Sequence, residues 1–238
     1  MSKRVWTTTV MREDNLRVFE LSFPGKYDYP SQYLLEKNKK FTEEQKLEWE
    51  QMMDARLEIK KQVTSFKKLD AEIIPTILYG RTITKDIDFP YFCRTLDGDI
   101  LINEECANLL KKFRLGETAM YPLSFFDIDL NEPVNNETYY FLNIAEWRNY
   151  LLPEFSSKDL YDMEIKNSNY SLYYLLESKY HDNALAVSEK ATNCDLDLWH
   201  DPALASSIFV SDELKKALEN AGMAQDWLFY NCQLITKQ

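Results

Sequence analysis

The sequence predicts an α+β fold, with mixed or antiparallel sheet elements, a long helix in the N-terminal half and two strand–capped helix–strand units. Three observations carry this expectation. Residues 42–68 show helical apolar spacing without Gly or Pro. Short runs rich in Val, Ile and aromatic residues, bounded by turn residues, recur along the rest of the chain. These runs and the helical segments do not alternate as repeated βαβ units.

Residues 4–10 and 16–23 alternate in part and read as short strands, the second ended by Pro24 and Gly25. Residues 26–40 read as irregular, with Pro30 and a basic cluster at Lys37, Lys39 and Lys40. Thr42 then opens the long helix. Its hydroxyl accepts from the third helical amide, and Gln45 reaches back to the cap, forming a capping box. Glu43 and Glu44 suit the positive end of the helix dipole, and Lys67 and Lys68 suit the negative end. Trp49, Met52, Met53, Ile59, Val63 and Phe66 form one apolar stripe. Over 42–68 the helix would be about 40 Å long. Two uses are open, a helix laid across a sheet and a projecting dimerisation arm, and the pattern favours the first.

Residues 73–79 read as a strand start or edge because of Pro75. Residues 90–94 and 100–102 flank a hairpin turn at Asp97 and Gly98. A helix is expected at 104–115, ended by Gly116. Strands are expected at 117–126 and 138–144, joined by an acidic loop, and 145–170 is weakly patterned. Residues 171–180 predict a helix, with Leu172, Leu175 and Leu176 near one face. Residues 184–199 are ambiguous. Residues 208–210, 212–221 and 227–235 read as strand, helix and strand, with Gly222 ending the helix.

Residues 100–113 and 208–221 echo one another. Each has three apolar residues, a cap (Asn103 or Ser211), acidic residues in the first turn and an amphipathic helix, followed by an aromatic strand that the helix returns to pair. Duplication and a recurring local motif both account for this echo. Along the chain, 1–87 is expected to form an N-terminal region holding the long helix, and 88–238 an α+β domain.

A chain of 238 residues with 45% hydrophobic and 14% aromatic residues is too apolar for intrinsic disorder. At this length it buries enough surface to fold without disulfides or metal. Mean hydropathy is -0.45, and no apolar run approaches the roughly 18 residues of a membrane helix. Lys3 and Arg4 precede polar Thr7, Thr8 and Thr9, so no secretory leader is expected. A cytoplasmic location follows as the expectation. Cys93, Cys106, Cys194 and Cys232 match no zinc spacing and are expected as free, packed thiols.

The formal net charge is -11. Residues 1–70 carry 14 basic and 12 acidic side chains, and residues 71–238 carry 14 and 27. The negative field therefore lies in the C-terminal two-thirds. Such a field repels nucleic acid and anionic membrane and attracts basic partners, although ordinary solubility accounts for it as well. Tyr139, Tyr140 and Phe141, with Tyr170, Tyr173 and Tyr174, lack the basic groove that base stacking requires, so they are read as core or protein interface.

The catalytic inventory is poor. Only His181 and His200 are present, and there is no H-E-x-x-H, G-x-S-x-G, P-loop or G-x-G-x-x-G motif. Asp97 with Asp99, Asp127 with Asp129, and Asp195 with Asp197 form three D-x-D pairs, a spacing that can hold Mg²⁺ or Mn²⁺. Each is explained more simply, as a turn, a strand end and an alternating strand. No cofactor, metal or catalytic residue is therefore expected. An acidic, aromatic-rich chain without a reaction site suits a protein that binds another protein.

IFVSDELKKALENAGM at 208–223, with the aromatic strand at 227–235, resembles the closing motif of immunity protein family eleven of bacterial polymorphic toxin systems. ILINEECANLLKKF at 100–113, MYPLSFF at 120–126 and YYFLNI at 139–144 are similar to that family's middle portion, and Leu198-Trp199 to its Leu/Ile-Phe pair. Ala224, Gln225 and Asp226 stand where the family commonly has Thr-Gly. The likeness spans residues 88–235.

The resemblance implies a non-enzymatic protein that neutralises a cognate toxin, encoded by a neighbouring gene and often a nuclease, by tight binding in the cytoplasm. The implied Kd is about 1 nM or below, near -12 kcal/mol. A nuclease needs a basic surface, which an acidic inhibitor can occupy. The contact residues expected are Asp127, Asp129 and Glu132 in the acidic loop, and Asp195, Asp197, Trp199 and Asp201 in an acidic-aromatic stretch. Two other classes are open: a metal-dependent transferase using a D-x-D pair, and a structural or regulatory subunit unrelated to toxins.

Overall fold

In the computed structural model, the structure describes residues 3–8, 20–22, 41–74, 76–80, 90–95, 98–127, 130–163, 171–205 and 207–236. The irregular stretch expected at 26–40, together with Pro75, Asp97, Asp129 and Tyr170, lies outside these residues, as do the side chains of Trp49 and Met52. The α+β class holds. The elements run β1 (Val5–Thr8), β2 (Glu20–Ser22), α1 (Glu43–Thr64), β3 (Ile77–Gly80), β4 (Phe92–Arg94), β5 (Ile100–Asn103), α2 (Glu104–Leu110) and β6 (Ala119–Asp127). They continue as β7 (Glu132–Pro133), β8 (Tyr139–Asn143), β9 (Tyr161–Asp162), β10 (Tyr173–Tyr174), β11 (Ala186–Ser188), β12 (Leu198–His200), β13 (Ile208–Ser211), α3 (Asp212–Asn220), β14 (Phe229–Asn231) and β15 (Gln233–Ile235). Among the described residues, no helix is long and apolar enough to cross a membrane.

The chain forms two units. One comprises Met1–Met11, Asn108–Thr118 and Ile144–Gln238, and the other Arg12–Ala107 and Ala119–Asn143.

In the second unit, α1 begins as its sequence dictates. The Thr42 hydroxyl accepts from the Gln45 amide at 3.3 Å, and Gln45 Oε1 accepts from the Thr42 amide at 3.0 Å. The helix ends at Thr64, four residues earlier than expected, and Phe66 takes a positive φ of 53°. Lys67 and Lys68 therefore lie beyond the last turn. Ile59 is buried, and Met53 and Val63 pack beside it against Leu78, Leu101, Phe125 and Phe141. The C-terminal half of α1 thus lies across the sheet, while the described side chains of residues 43–51 are largely exposed.

The sheet of this unit runs β2-β3-β6-β8-β5-β4, with β7 against β6. Only β3–β6 is parallel. β3 starts at Ile77, two residues after Pro75, and is flanked by β2 and β6. β4 and β5 form the expected hairpin, and Gly98 has the positive φ of 92° that its turn requires. The Asn143 side chain accepts from the Leu69 amide at 3.0 Å, and the Tyr121 hydroxyl donates to the Leu69 carbonyl, tying the segment after α1 to the sheet.

In the first unit, an antiparallel sheet runs β12-β13-β1-β14. β11 and β15 pair in parallel, and β9 and β10 form an antiparallel ribbon. Trp199 stacks on Phe209 at 6.0 Å, within a core that includes Val5, Leu175, Leu185, Val187, Leu196 and Cys232.

The echo between 100–113 and 208–221 is realised with one correction. Asn103 caps α2 through the Cys106 amide, and Ser211 caps α3 through the Leu214 amide. The helix does not return the chain to pair the strand it left. β5 and β6 flank β8, and β13 and β14 flank β1, each antiparallel to the middle strand. Both are split β-α-β arrangements. The middle strand comes from downstream in one and from the N-terminus in the other.

Two helix expectations are corrected. α2 stops at Leu110, so Gly116 (φ 58°) serves a later turn. Residues 171–180 hold β10 and a 3-10 turn at Glu177–Lys179. Leu175 is buried there while its neighbour Leu176 is 46% exposed.

Candidate protein interface

The acidic loop is built on the end of β6. Asp127 and Glu132 sit opposite one another in the β6–β7 register, which puts both side chains on one face. Asp127 Oδ1 accepts from the Leu130 amide at 3.0 Å, and its carbonyl accepts from the Asn131 amide at 2.8 Å. Asn131 takes the left-handed conformation that a short polar side chain tolerates, and its Oδ1 accepts from the Tyr79 hydroxyl at 3.4 Å. Leu130 stands at the tip, 63% exposed. Glu132 is exposed and Asp127 is half-buried. Asp129 lies outside the described residues. Residues 119–143 contain four carboxylates and no Lys or Arg.

The stretch 195–201 is placed differently. Arg148 grips Asp195 with Nε at 2.9 Å and Nη2 at 2.7 Å, and its Nη1 reaches Glu146 at 3.3 Å. The Arg148 bonds hold the Asp195 carboxyl below its ordinary range, and the guanidinium is stabilised in turn. Asp195 remains an exposed surface carboxylate.

Asp197, Trp199 and Asp201 are buried, which removes them from any contact surface. Residues 196–199 are all buried, so the outward face expected from alternation does not exist. Burial pushes the Asp197 carboxyl up, but the Arg114 bonds prevail and the net shift is downward. Those bonds come from Nη2 at 2.8 Å, Nε at 3.0 Å and the backbone amide at 2.9 Å. Trp199 is 1% exposed, with Phe209 on one side and Tyr150 edge-on at 6.4 Å. Asp201 Oδ2 accepts from the Tyr150 and Leu151 amides at 2.7 and 2.8 Å, and Oδ1 accepts from the Ala203 amide at 3.0 Å. Burial raises its pKa despite these three donors.

Asp127 and Glu132 thus belong to one unit and Asp195 to the other. Sequence reasoning missed Arg114 and Arg148, because their partners lie 83 and 47 residues away. It also missed the exposed Trp147, which sits in a weakly patterned stretch beside Arg148.

For the D-x-D pairs, each aspartate of the 195/197 pair is gripped by its own arginine. Asp99 is held with Thr95, through the Thr95 hydroxyl at 3.3 Å. Among the described residues, no group of three or more His, Cys, Asp or Glu side chains is placed to hold a metal ion. His200 Nδ1 lies 3.0 Å from the Ser207 carbonyl. All four cysteines are buried thiols, and none is joined in a disulfide.

No protein-family model matches this chain, and no curated protein matches it.

Proposed function

We propose that this chain is an immunity protein that binds a cognate bacterial toxin domain, the product of a neighbouring gene, and neutralises it in the cytoplasm. It makes and breaks no bonds itself. The observation that carries this is the acidic turn. Asp127 and Glu132 share one face beside the exposed Leu130, within a stretch that has four carboxylates and no cation. Such a face repels phosphate and attracts a basic protein surface, which is what a nuclease offers. Apolar tips with charged flanks suit recognition, because the charges speed encounter and the apolar contact slows release. The resemblance over residues 88–235 supports the same reading.

The test is genetic and direct. Expression of the neighbouring gene alone should arrest growth, and co-expression of this chain should restore it. A harmless neighbour, or growth arrest that this chain leaves unrelieved, would overturn the proposal.

A further inference from the structure

The sheets of the two units agree well beyond their shared strand–cap–helix segments. One runs β12-β13-β1-β14, and the other contains the run β4-β5-β8-β6. Every pair in both runs is antiparallel. In each, the capping residue stands opposite the first residue of the inserted strand, Ser211 opposite Val5 and Asn103 opposite Tyr139. Two residues further on, Thr7 lies in a row with Trp199, Phe209 and Tyr230. At the same place in the other run, Phe141 lies in a row with Cys93, Leu101 and Tyr121. Both rows face the core of their own unit, and Thr7, the one non-aromatic polar member, is buried. A strand feeding a capped helix dictates none of this. It fixes neither a strand brought from elsewhere nor its register, and a slip of one residue would turn either row to the opposite face.

In chain order the matching elements read β1, β4, β5, α2, β6, and then β8, β12, β13, α3, β14. Each series is strand, strand, strand, capped helix, strand. The first carries α1, β2 and β3 between its leading strand and the rest, and the second carries β9, β10 and β11 at the same point. The pairing crosses the two series. β1 leads the first but completes β12-β13-β14, and β8 leads the second but completes β4-β5-β6.

We propose that the chain is two copies of one strand–strand–strand–helix–strand repeat that have exchanged their leading strands. Tandem duplication supplies the chain order directly, and lending an identical element is a low-cost way for two copies of a fold to join. A recurring local motif accounts for residues 100–113 and 208–221 alone. It leaves β1, β4, β8 and β12, and the register they share, without a cause. The exchange has a physical consequence. β8 reaches its place after the last strand of the sheet it completes, whereas β1 reaches the equivalent place before any of its sheet has been made. Pairing with the flanking strands therefore sets where a leading strand lies, whichever end of the repeat it is attached to.

The test moves β1 without changing its pairing. In a circular permutant of the full chain, residues 1–11 follow residue 238 through a flexible glycine–serine linker, so that β1 comes after β14 as β8 comes after β6. The Val5 carbonyl already accepts from the Cys232 amide at 2.9 Å, which places the moved strand beside the C-terminal segment. The permutant should melt cooperatively within about 5 °C of the wild type, and a chain lacking residues 1–11 should melt at least about 15 °C lower or not cooperatively at all. Should the linker itself prevent folding, a peptide of residues 1–11 added to the shortened chain makes the same comparison with no connection. Recovery of the wild-type melt by the permutant or by the peptide is the expected result. If both leave the protein as the deletion does, β1 depends on its attachment at the N-terminus and the exchange is overturned. A shortened chain that melts as the wild type does would also overturn it, because β1 would then complete nothing.

Discussion

The carboxylate of Glu146 occupies the space that a β-carbon on Gly116 would fill. Gly116 is in the left-handed region at φ 58°, and the carboxylate that closes over it is held from both sides. Oε1 accepts from the Glu117 amide at 2.7 Å, and Oε2 accepts from Arg148 Nη1 at 3.3 Å. Arg148 in turn holds Asp195. One glycine thus admits a chain of charge-assisted bonds that joins the 116–117 turn to residues 146–148 and 195.

Replacing Gly116 with Ala should therefore do two things at once. It adds the strain of an L-residue at positive φ, about 1 kcal/mol, and it displaces a carboxylate that accepts two bonds. We expect a loss of about 2–3 kcal/mol in urea unfolding. G98A, whose β-carbon meets no atom within 4 Å, should lose only the conformational part. Equal losses in the two variants would show that the Glu146 carboxylate does not oppose the substitution.

Asp201 is a structural carboxylate, and its removal should be severe. Asp201→Ala leaves the Tyr150, Leu151 and Ala203 amides without their acceptor, at about 1–3 kcal/mol for each group that stays buried. A total loss of about 3–5 kcal/mol is expected from denaturant melts, with toxin association unaffected in the fraction that stays folded.

Acid should act on Asp197 and Asp201 in opposite directions. The Asp197 carboxyl is held below its ordinary 3.8 in the folded state. As pH falls, the unfolded chain takes up that proton first. Its contribution is therefore present above 3.8 and is lost as pH falls through the lowered folded value. The Asp201 carboxyl is raised, so its contribution is present below 3.8 and is lost as pH climbs through the raised value. Asp197→Asn should flatten the acid limb of a stability profile taken between about pH 2 and pH 5, and Asp201→Asn should steepen it. An acid limb unchanged by Asp197→Asn would rule out the Arg114 pair as its source.

Reversing Asp127, Asp129 and Glu132 to Lys together should cut the association rate with the toxin domain about tenfold or more at low salt, and the salt dependence should weaken or invert. The fold should tolerate the change at a cost of about 1 kcal/mol, from loss of the Asp127 bond to the Leu130 amide. Stopped-flow measurement at two ionic strengths checks this. An unchanged rate with unchanged salt dependence would clear the loop of any role in encounter.

Local chemistry was readable wherever its partners lie within a few residues. Thr42 and Gln45 are three positions apart, so the capping box is written in the chain itself. The same holds for Asn103 with Cys106, for Ser211 with Leu214 and for the turn at Gly98. Residues 171–180 were misread because three leucines at helical spacing also satisfy a strand that bends into a 3-10 turn. In the candidate site, the acidic turn was legible as a run of carboxylates beside Asn and Pro. The burial of Asp197, Trp199 and Asp201 was not, because Arg114 and the Tyr150 and Leu151 amides that receive the two carboxylates come from segments 50 to 83 residues away.

By itself the sequence determined the α+β class, the long capped helix, the two strand–cap–helix–strand units and the sign of the protein's field. All of these follow from local hydrogen bonding, side-chain periodicity and summed charge. Tertiary structure alone decided that β8 and β1 split those two units, that Asp197 and Asp201 face inward, and that the ribbon of β9 and β10 turns Tyr173 to the core. Each of these depends on which other segment lies alongside, and pairing with a strand elsewhere in the chain leaves no periodicity in either partner to announce it.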